Sequence, residues 1–334
     1  MLLQLIVPHY KERPDEMTPL LDSVKIQQAI DFNEVGMLIV YDGDEATELP
    51  VEEWEATYPF RIQHLRKPHG GVSAARNYGM DHADAEYIMF CDADDMFCHA
   101  CGFRVLFDQF VKGFDTMVTE FIEETRVPGT DKPLFVAHKT DSTFVHGKVH
   151  RLAYLREYNI RFCDRLTIHE DSYFNILAQS CVPDPERAKY CPEKMYLWKW
   201  RDNSVCRHDP DYLLRTYPNM LDSNDALVDE LARRGLTDKA NAHAAIMIFE
   251  SYYTLNRKEW LDKMHKDYRD LTELRVAEYF KKHRDKFEAV PEEQKQGIRM
   301  AVINRQIKGG MPMETITFSQ WLNRIIELGK GVNK

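Results

Sequence analysis

No run of about 18 apolar residues occurs in this chain, so no helical membrane span is expected. Positive charge is also short: 44 Lys and Arg stand against 54 Asp and Glu, a formal net charge of -10. A dedicated nucleic-acid surface needs the opposite balance, so nucleic acid is not the expected partner, although a local basic patch is compatible with that total. Cysteine is sparse, odd in number and scattered, with seven in 334 residues. A chain of this length needs no disulfide staples, and the usage fits a reducing compartment. Cys98-His99-Ala100-Cys101 has CxxC spacing, with Cys91 nearby. No second pair completes a zinc knuckle, so buried free thiols are expected. Met1 to Val7 is apolar but short, lacks a basic start and meets Pro8 at once, which is not the pattern of a signal peptide. No internal repeat and no low-complexity linker is visible. These absences predict a soluble, cytoplasmic protein. Its hydrophobic content of 44% and aromatic content of 11% suffice for one large domain or two ordinary ones.

What is present begins with Tyr87-Ile88-Met89-Phe90-Cys91-Asp92-Ala93-Asp94-Asp95. The apolar part predicts a short strand buried on both faces, and the carboxylates then fall at its carboxyl end, where open α/β sheets bind ligands. Carboxylates packed so closely repel one another unless something positive sits among them. A divalent cation with bound phosphates answers that need, because hard cations take oxygen ligands. The plainer alternative is an acidic turn after a strand.

Other strands are expected at Leu2–Val7, Met37–Tyr41 and Phe60–Leu65. Met17, Leu20, Leu21 and Val24 recur at helical spacing and predict a helix to about Ile30. Ser73 can cap a helix through Ala74, Ala75 and Tyr78. This alternation predicts a parallel, doubly wound half-domain. Phe103–Phe110 and Arg151–Tyr158 read as helices, and another follows Asp171. Thr116–Ile122 and Leu134–His138 read as strands with an antiparallel component, and Tyr196–Trp200 as a last strand. After His208 the texture becomes helical and charged to the end. Leu213, Tyr217, Leu221, Leu227 and Leu231 recur at helical intervals. So do Ile246, Phe249 and Tyr253, then Trp260, Leu261, Met264, Tyr268 and Leu271, and finally Trp321, Leu322, Ile325 and Ile326. The charged run from Lys258 to Lys286 reads as a solvated helix face.

Three expected strands end in polar residues: Pro8-His9-Tyr10-Lys11-Glu12, Asp42-Gly43-Asp44, and Asp92-Ala93-Asp94-Asp95. In a parallel sheet these ends share one edge. Asp42 after a strand can accept from a base or ribose, or can simply be a turn residue before glycine. Gly70-Gly71 before a helix start permits close approach to a ligand, and the helix N-terminus favours anions. Arg76, one turn further on, is placed to meet a phosphate or a base; the alternative is a surface arginine.

In order and spacing, Pro8 and Tyr10, Asp42-Gly43, Gly70 to Gly79, and Asp92 to Asp95 resemble family-2 glycosyltransferases with the GT-A fold. His146-Gly147-Lys148-Val149-His150-Arg151 is similar to the family's W-x-K-L-Y-R stretch, and Glu170-Asp171 to its Glu-Asp motif ahead of a helix. The resemblance covers residues 1–208 and leaves 209–334 as a helical C-terminal region. It implies an α/β architecture, a GT-A-type Rossmann-like mixed sheet flanked by helices, with the all-helical region following. Two departures stand out: Tyr41 replaces an acid before Asp42, and His146 stands where Trp is usual.

The resemblance also implies chemistry. The expected activity is inverting transfer of a sugar from a nucleotide sugar, a UDP-sugar by preference, to the hydroxyl of a glycan, wall polymer or other acceptor. Asp171 would be the general base, with Glu170 assisting at the metal water or the acceptor. Asp94 would hold Mn²⁺ or Mg²⁺, with His208 a weaker candidate ligand, ahead of His9, His64, His69 and His169. Pro8, Tyr10, Glu12, Asp42, Arg76 and Asp92 would line the donor site, with Asp92 facing ribose or sugar and Asp95 supporting the turn. Arg201 would lie over the pyrophosphate. The C-terminal helices could serve homo-oligomerisation or acceptor docking. The competing expectations are a catalytically silent nucleotide-sugar-binding or scaffold protein of the same fold, and a nucleotidyltransferase. The latter would want a glycine-rich loop after the first strand, and Pro8 to Pro14 has no glycine.

Overall fold

The computed structural model describes residues 1–202, 212–256, 266–307 and 316–331. The chain divides into two compact units, Met1–Ser204 and Val205–Lys334.

In the first unit, four apolar runs make the parallel part of a mixed sheet. β1 (Leu3–His9), β2 (Val35–Asp42), β3 (Arg61–Lys67) and β4 (Tyr87–Phe90) lie in the order β3-β2-β1-β4. β1, β2 and β4 are buried almost throughout, as unbroken apolar strands must be when both faces are covered. Covering helices are α1 (Pro14–Lys25), α2 (Val51–Thr57) and α3 (Gly71–His82). α1 stops short of the expected Ile30: Ile26 is 54% exposed, and Ala29 turns the chain with φ 57°. α3 lies so close to β1 that a Cβ on Gly79 would meet Ile6 Cγ2 at 2.4 Å, so only glycine allows this packing.

The sheet continues with reversed strands. β5 (Met96–Phe97), β6 (Thr116–Arg126), β7 (Pro133–His138), β8 (Lys148–Arg151) and β9 (Ala188–Trp198) complete it. β8 fits between β4 and β6, antiparallel to both. β9 pairs parallel with β6, β5 closes the edge on β9, and β7 returns as a hairpin on β6. β8 and β5 escaped the sequence reading because they are short and, in β8, carry Lys148 and His150. β9 begins well before Tyr196, since Lys189 and Lys194 disguise its apolar alternation. The remaining helices are α4 (Gly102–Phe110), α5 (Leu152–Glu157) and α6 (Glu170–Ser180). The fold expectation, a mixed sheet flanked by helices and followed by a helical region, is what the structure contains.

The second unit is helical among the described residues: α7 (Tyr212–Arg215), α8 (Tyr217–Arg233), α9 (Thr237–Leu255), α10 (Lys266–Ala289), α11 (Glu292–Ile307) and α12 (Phe318–Gly331). Its core gathers Tyr217, Leu221, Phe249, Tyr252, Phe280, Phe287, Trp321 and Ile325. Leu213 has no described side-chain environment, and Trp260, Leu261 and Met264 lie outside the described residues. Leu271 is 51% exposed, contrary to its expected place on a buried face. The charged run is not simply solvated either. Glu273 is buried and meets Arg269 and Arg324 at 3.4 and 2.5 Å, while Arg275 and Lys282 pair with aspartates of α8.

Candidate active site

The ends of β1, β2 and β4 share an edge, and each supplies acidic or aromatic side chains. After β1, His9 is buried, with Nε2 2.7 Å from the Thr47 carbonyl and Nδ1 3.0 Å from Glu12 Oε2. Burial alone would raise the Glu12 carboxyl, but hydrogen bonds from His9 and the Tyr10 amide overcome it and hold Glu12 at about 2. Tyr10 stacks on His69 at 4.8 Å between ring centroids.

Asp42, ending β2, accepts from the amides of Gly70 and Gly71 at 2.9 and 2.8 Å and from Lys67 Nζ at 2.8 Å. Gly71 has φ 83°, a conformation that favours glycine. The paired glycines were expected to permit close approach of a ligand at the start of the helix. Instead their N–H groups are taken by the Asp42 carboxylate, which fixes the loop at the start of α3. Lys67 was not singled out in the sequence; its place at the end of a weak strand hid it.

At the end of β4 the three carboxylates diverge. Asp95 is buried: Oδ2 accepts from Tyr196 Oη and Oδ1 from the Lys199 amide, both at 2.9 Å. Burial, then the charges of Asp94 and Asp92, push its carboxyl well above the usual range. Tyr196 Oη also accepts from the Asp92 amide at 2.9 Å, so β9 braces the turn. Asp94 meets Arg201 Nε at 2.5 Å. Even so, burial and then the charge of Asp92 raise its carboxyl to about 6, and Glu12 adds to the effect. Asp92 Oδ1 accepts from Arg76 at 3.0 Å.

Arg76 is only 4% exposed, and its other nitrogen meets Glu170 at 2.9 Å. It therefore bridges the end of β4 to the start of α6. Arg76 was expected to face a phosphate or a base; its guanidinium here is enclosed between two carboxylates and lies 5.2 Å from the Phe162 ring centre. Next to Glu170 stands Asp171, whose carboxyl is raised to about 7 by burial and then by the Glu170 charge, against the pull of Arg76. The turn into α6 runs through His169 at φ 62°, an uncommon conformation for a residue with a Cβ.

His146, in the Trp position of the resemblance, is buried in an aromatic stack. Its ring lies 5.0 Å from Tyr196 and 5.2 Å from Trp198, and burial brings it down to about 3. Asp92, Asp95 and His146 carry possible ligand atoms within 4.8 Å of one another. Lys148 is also buried: Nζ donates to the His146 carbonyl at 3.0 Å, and burial lowers the ammonium to about 8. The structure thus brings Glu12, Arg76, Asp92, Asp94, Glu170 and Asp171 into one electrostatic group, with Pro8, Tyr10 and Asp42 on the ends of the adjoining strands. His208 lies outside the described residues.

Residues 4–149 match the sequence model described as Glycosyl transferase family 2. The minor teichoic acid biosynthesis protein GgaB of Bacillus subtilis (strain 168) is 37% identical over 81 residues, 24% of this chain and 9% of GgaB. The uncharacterized glycosyltransferase EpsJ of the same strain is 28% identical over 222 residues, 61% of this chain and 62% of EpsJ. The chain thus spans less than two thirds of each of these relatives. Among solved structures, S. aureus TarS 1-349 in complex with UDP superposes with a TM-score of 0.59 at 16% identity, covering 100% of this chain and 91% of that one. The complex with UDP-GlcNAc has the same TM-score and covers 93% of both chains. Residues 4–149 thus match the glycosyl transferase family 2 model, and the mixed sheet with its flanking helices has the GT-A-type fold that TarS shares.

Proposed function

We propose that the protein transfers a sugar from a nucleotide sugar to an acceptor hydroxyl with inversion, Asp171 acting as general base. One observation carries this reading: a carboxylate raised to about 7 stands beside Glu170, which Arg76 ties directly to Asp92 at the end of β4. A base is most effective when its pKa lies near working pH. In the reaction the acceptor oxygen bonds to the anomeric carbon, the bond from that carbon to the nucleoside diphosphate breaks, and Asp171 takes the hydroxyl proton. Attack opposite the leaving group inverts the centre. Tyr10 and Asp42 lie at the edge assigned to the nucleoside, and Asp42 would exchange a present partner for the base. UDP is the preferred nucleotide, and the UDP and UDP-GlcNAc complexes of TarS, a protein of the same fold, support that choice.

A divalent cation, Mn²⁺ or Mg²⁺, fits the acidic turn. The raised Asp94 carboxyl marks surplus negative charge, and the donors are oxygens, as hard cations prefer. Asp94 would hold it in exchange for Arg201, with Asp92 beside it towards the ribose or sugar, since Asp95 is buried and committed to Tyr196 and Lys199. When bound, such a cation neutralises negative charge on the departing diphosphate as a Lewis acid.

The test is turnover of a panel of UDP-, GDP- and dTDP-sugars with Mn²⁺ or Mg²⁺, followed by Asp171→Asn. The variant should lose about 10²–10⁴-fold in rate while UDP affinity is retained. A wild-type rate in Asp171→Asn would place the base elsewhere.

A further inference from the structure

Most rings of the first unit are sealed in its core, but Phe144 and Trp198 are only partly buried, with centroids 5.2 Å apart. Phe144 sits in a turn that Asp141 holds, its carboxylate accepting from the Thr143 and Phe144 amides at 2.8 and 3.0 Å. The Thr143 and Phe144 carbonyls in turn accept from Asn175 Nδ2 at 3.0 and 2.9 Å. Asp171 and Asn175 are related as i and i+4 in α6, so their side chains share a helix face. Phe144 is therefore tied to the helix face that carries the proposed base. Behind Trp198 lies the His146 ring, whose Nδ1 is 3.9 Å from Asp95. The ring pair is thus joined to α6 through the Phe144 carbonyl and to the acidic turn through His146.

The surroundings say what such a surface would take. A flat aromatic face gains dispersion contacts and burial from the C–H face of a sugar ring. A polyol phosphate has no such face and calls for available cations. Three cations near the pair are answered by carboxylates: Lys148 by Asp141 at 3.7 Å, Arg126 by Glu124 at 2.8 Å and His138 by Glu123 at 2.9 Å.

We propose that Phe144 and Trp198 form an acceptor platform on which a neutral pyranose ring of a glycan stacks, presenting its hydroxyl to Asp171. The proposal rests on the transferase reading above. It is tested by saturation-transfer NMR on the full chain, using neutral trisaccharides of gluco, galacto and N-acetylglucosamine configuration and a glycerol phosphate oligomer as probes. At least one trisaccharide should take up saturation at its ring protons. Its affinity should fall roughly tenfold in Trp198→Leu, which keeps apolar bulk, and largely return in Trp198→Phe, which keeps a ring. Melting curves of each variant establish that it is folded; if Trp198→Leu does not fold, the comparison of wild type with Phe144→Leu decides. Binding of no trisaccharide, undiminished binding in the leucine variant, or preference for the glycerol phosphate oligomer overturns the platform. UDP calorimetry on the wild type separates the two readings. Saccharide binding without UDP binding sinks the transferase reading, whereas UDP binding without saccharide binding sinks the platform alone.

Discussion

The carboxylates at the end of β4 and the start of α6 are treated in the opposite way from those on α8 of the helical unit. In the helical unit, Asp225 would be raised by burial, but His283 and Lys282 hydrogen-bond to it and bring it below its ordinary range. Lys282 also reaches Asp229 at 2.7 Å, so a cluster of Asp225, Asp229 and His283 that could be taken for a metal site already has its cation. Glu230 is likewise lowered, chiefly by a hydrogen bond from Arg233. In the sheet unit Glu12 and Asp115 are lowered by their own partners, but Asp94, Asp95 and Asp171 are all raised despite Arg76 and Arg201 nearby. Glu250 qualifies the contrast, since burial raises it in the helical unit too, but it stands against Arg305 rather than among carboxylates. Carboxylates crowded against one another beyond what their arginines offset point to a site; carboxylates neutralised one by one point to packing.

Asp94→Ala tests that contrast most severely. It should abolish both transfer and the stimulation of UDP binding by divalent cations, read by turnover and by calorimetry with and without Mn²⁺. Equal, metal-independent UDP affinity in wild type and variant would remove Asp94 from the metal. Arg76→Met comes next. It leaves Asp92 and Glu170 without their shared cation in a buried setting, a loss of about 3–5 kcal/mol in unfolding free energy by denaturant titration. A change below about 1 kcal/mol would mean that water reaches these carboxylates freely.

A smaller effect follows from the Asp171 proton. Its folded pKa of about 7 lies above the ordinary 3.8, so the folded state holds this proton longer than the unfolded chain does. Stability therefore falls as pH rises from about 4 to about 7. Asp171→Asn removes that dependence and should melt higher than wild type at pH 7 or above, with the gap closing towards pH 4. A gap that does not change with pH would deny the raised carboxyl. The least expected effect is at the paired cluster: Lys282→Ala should cost no more than about 1 kcal/mol, because the pair is half exposed, and should leave sugar turnover unaltered.

Much of this arrangement was legible in one dimension, for identifiable reasons. The strand of Tyr87 to Phe90 and the acids after it announce themselves because an unbroken apolar run must be buried on both faces and a parallel strand must end at the ligand edge. The Glu170-Asp171 pair opens a helix, as its spacing before Phe174 and Leu177 requires. Less could be learned of β8, whose lysine and histidine look like loop residues until they are buried between β4 and β6. The aromatic alternation of Tyr196, Trp198 and Trp200 was visible as a strand, but not that its tyrosine would hold the Asp92–Asp95 turn.

Local pattern alone determined the four parallel strands, the acidic strand end and the change of texture after residue 208, because burial periodicity and turn chemistry act over a few residues. Partnership was decided only in three dimensions. Arg76 and Glu170 are separated by ninety-four positions, Asp42 and Gly70 by twenty-eight, and nothing in the intervening chain encodes which cation will face which carboxylate. That choice depends on how α3, β4 and α6 pack, and packing sets the burial and neighbouring charge that move Asp94 to about 6 and Asp171 to about 7.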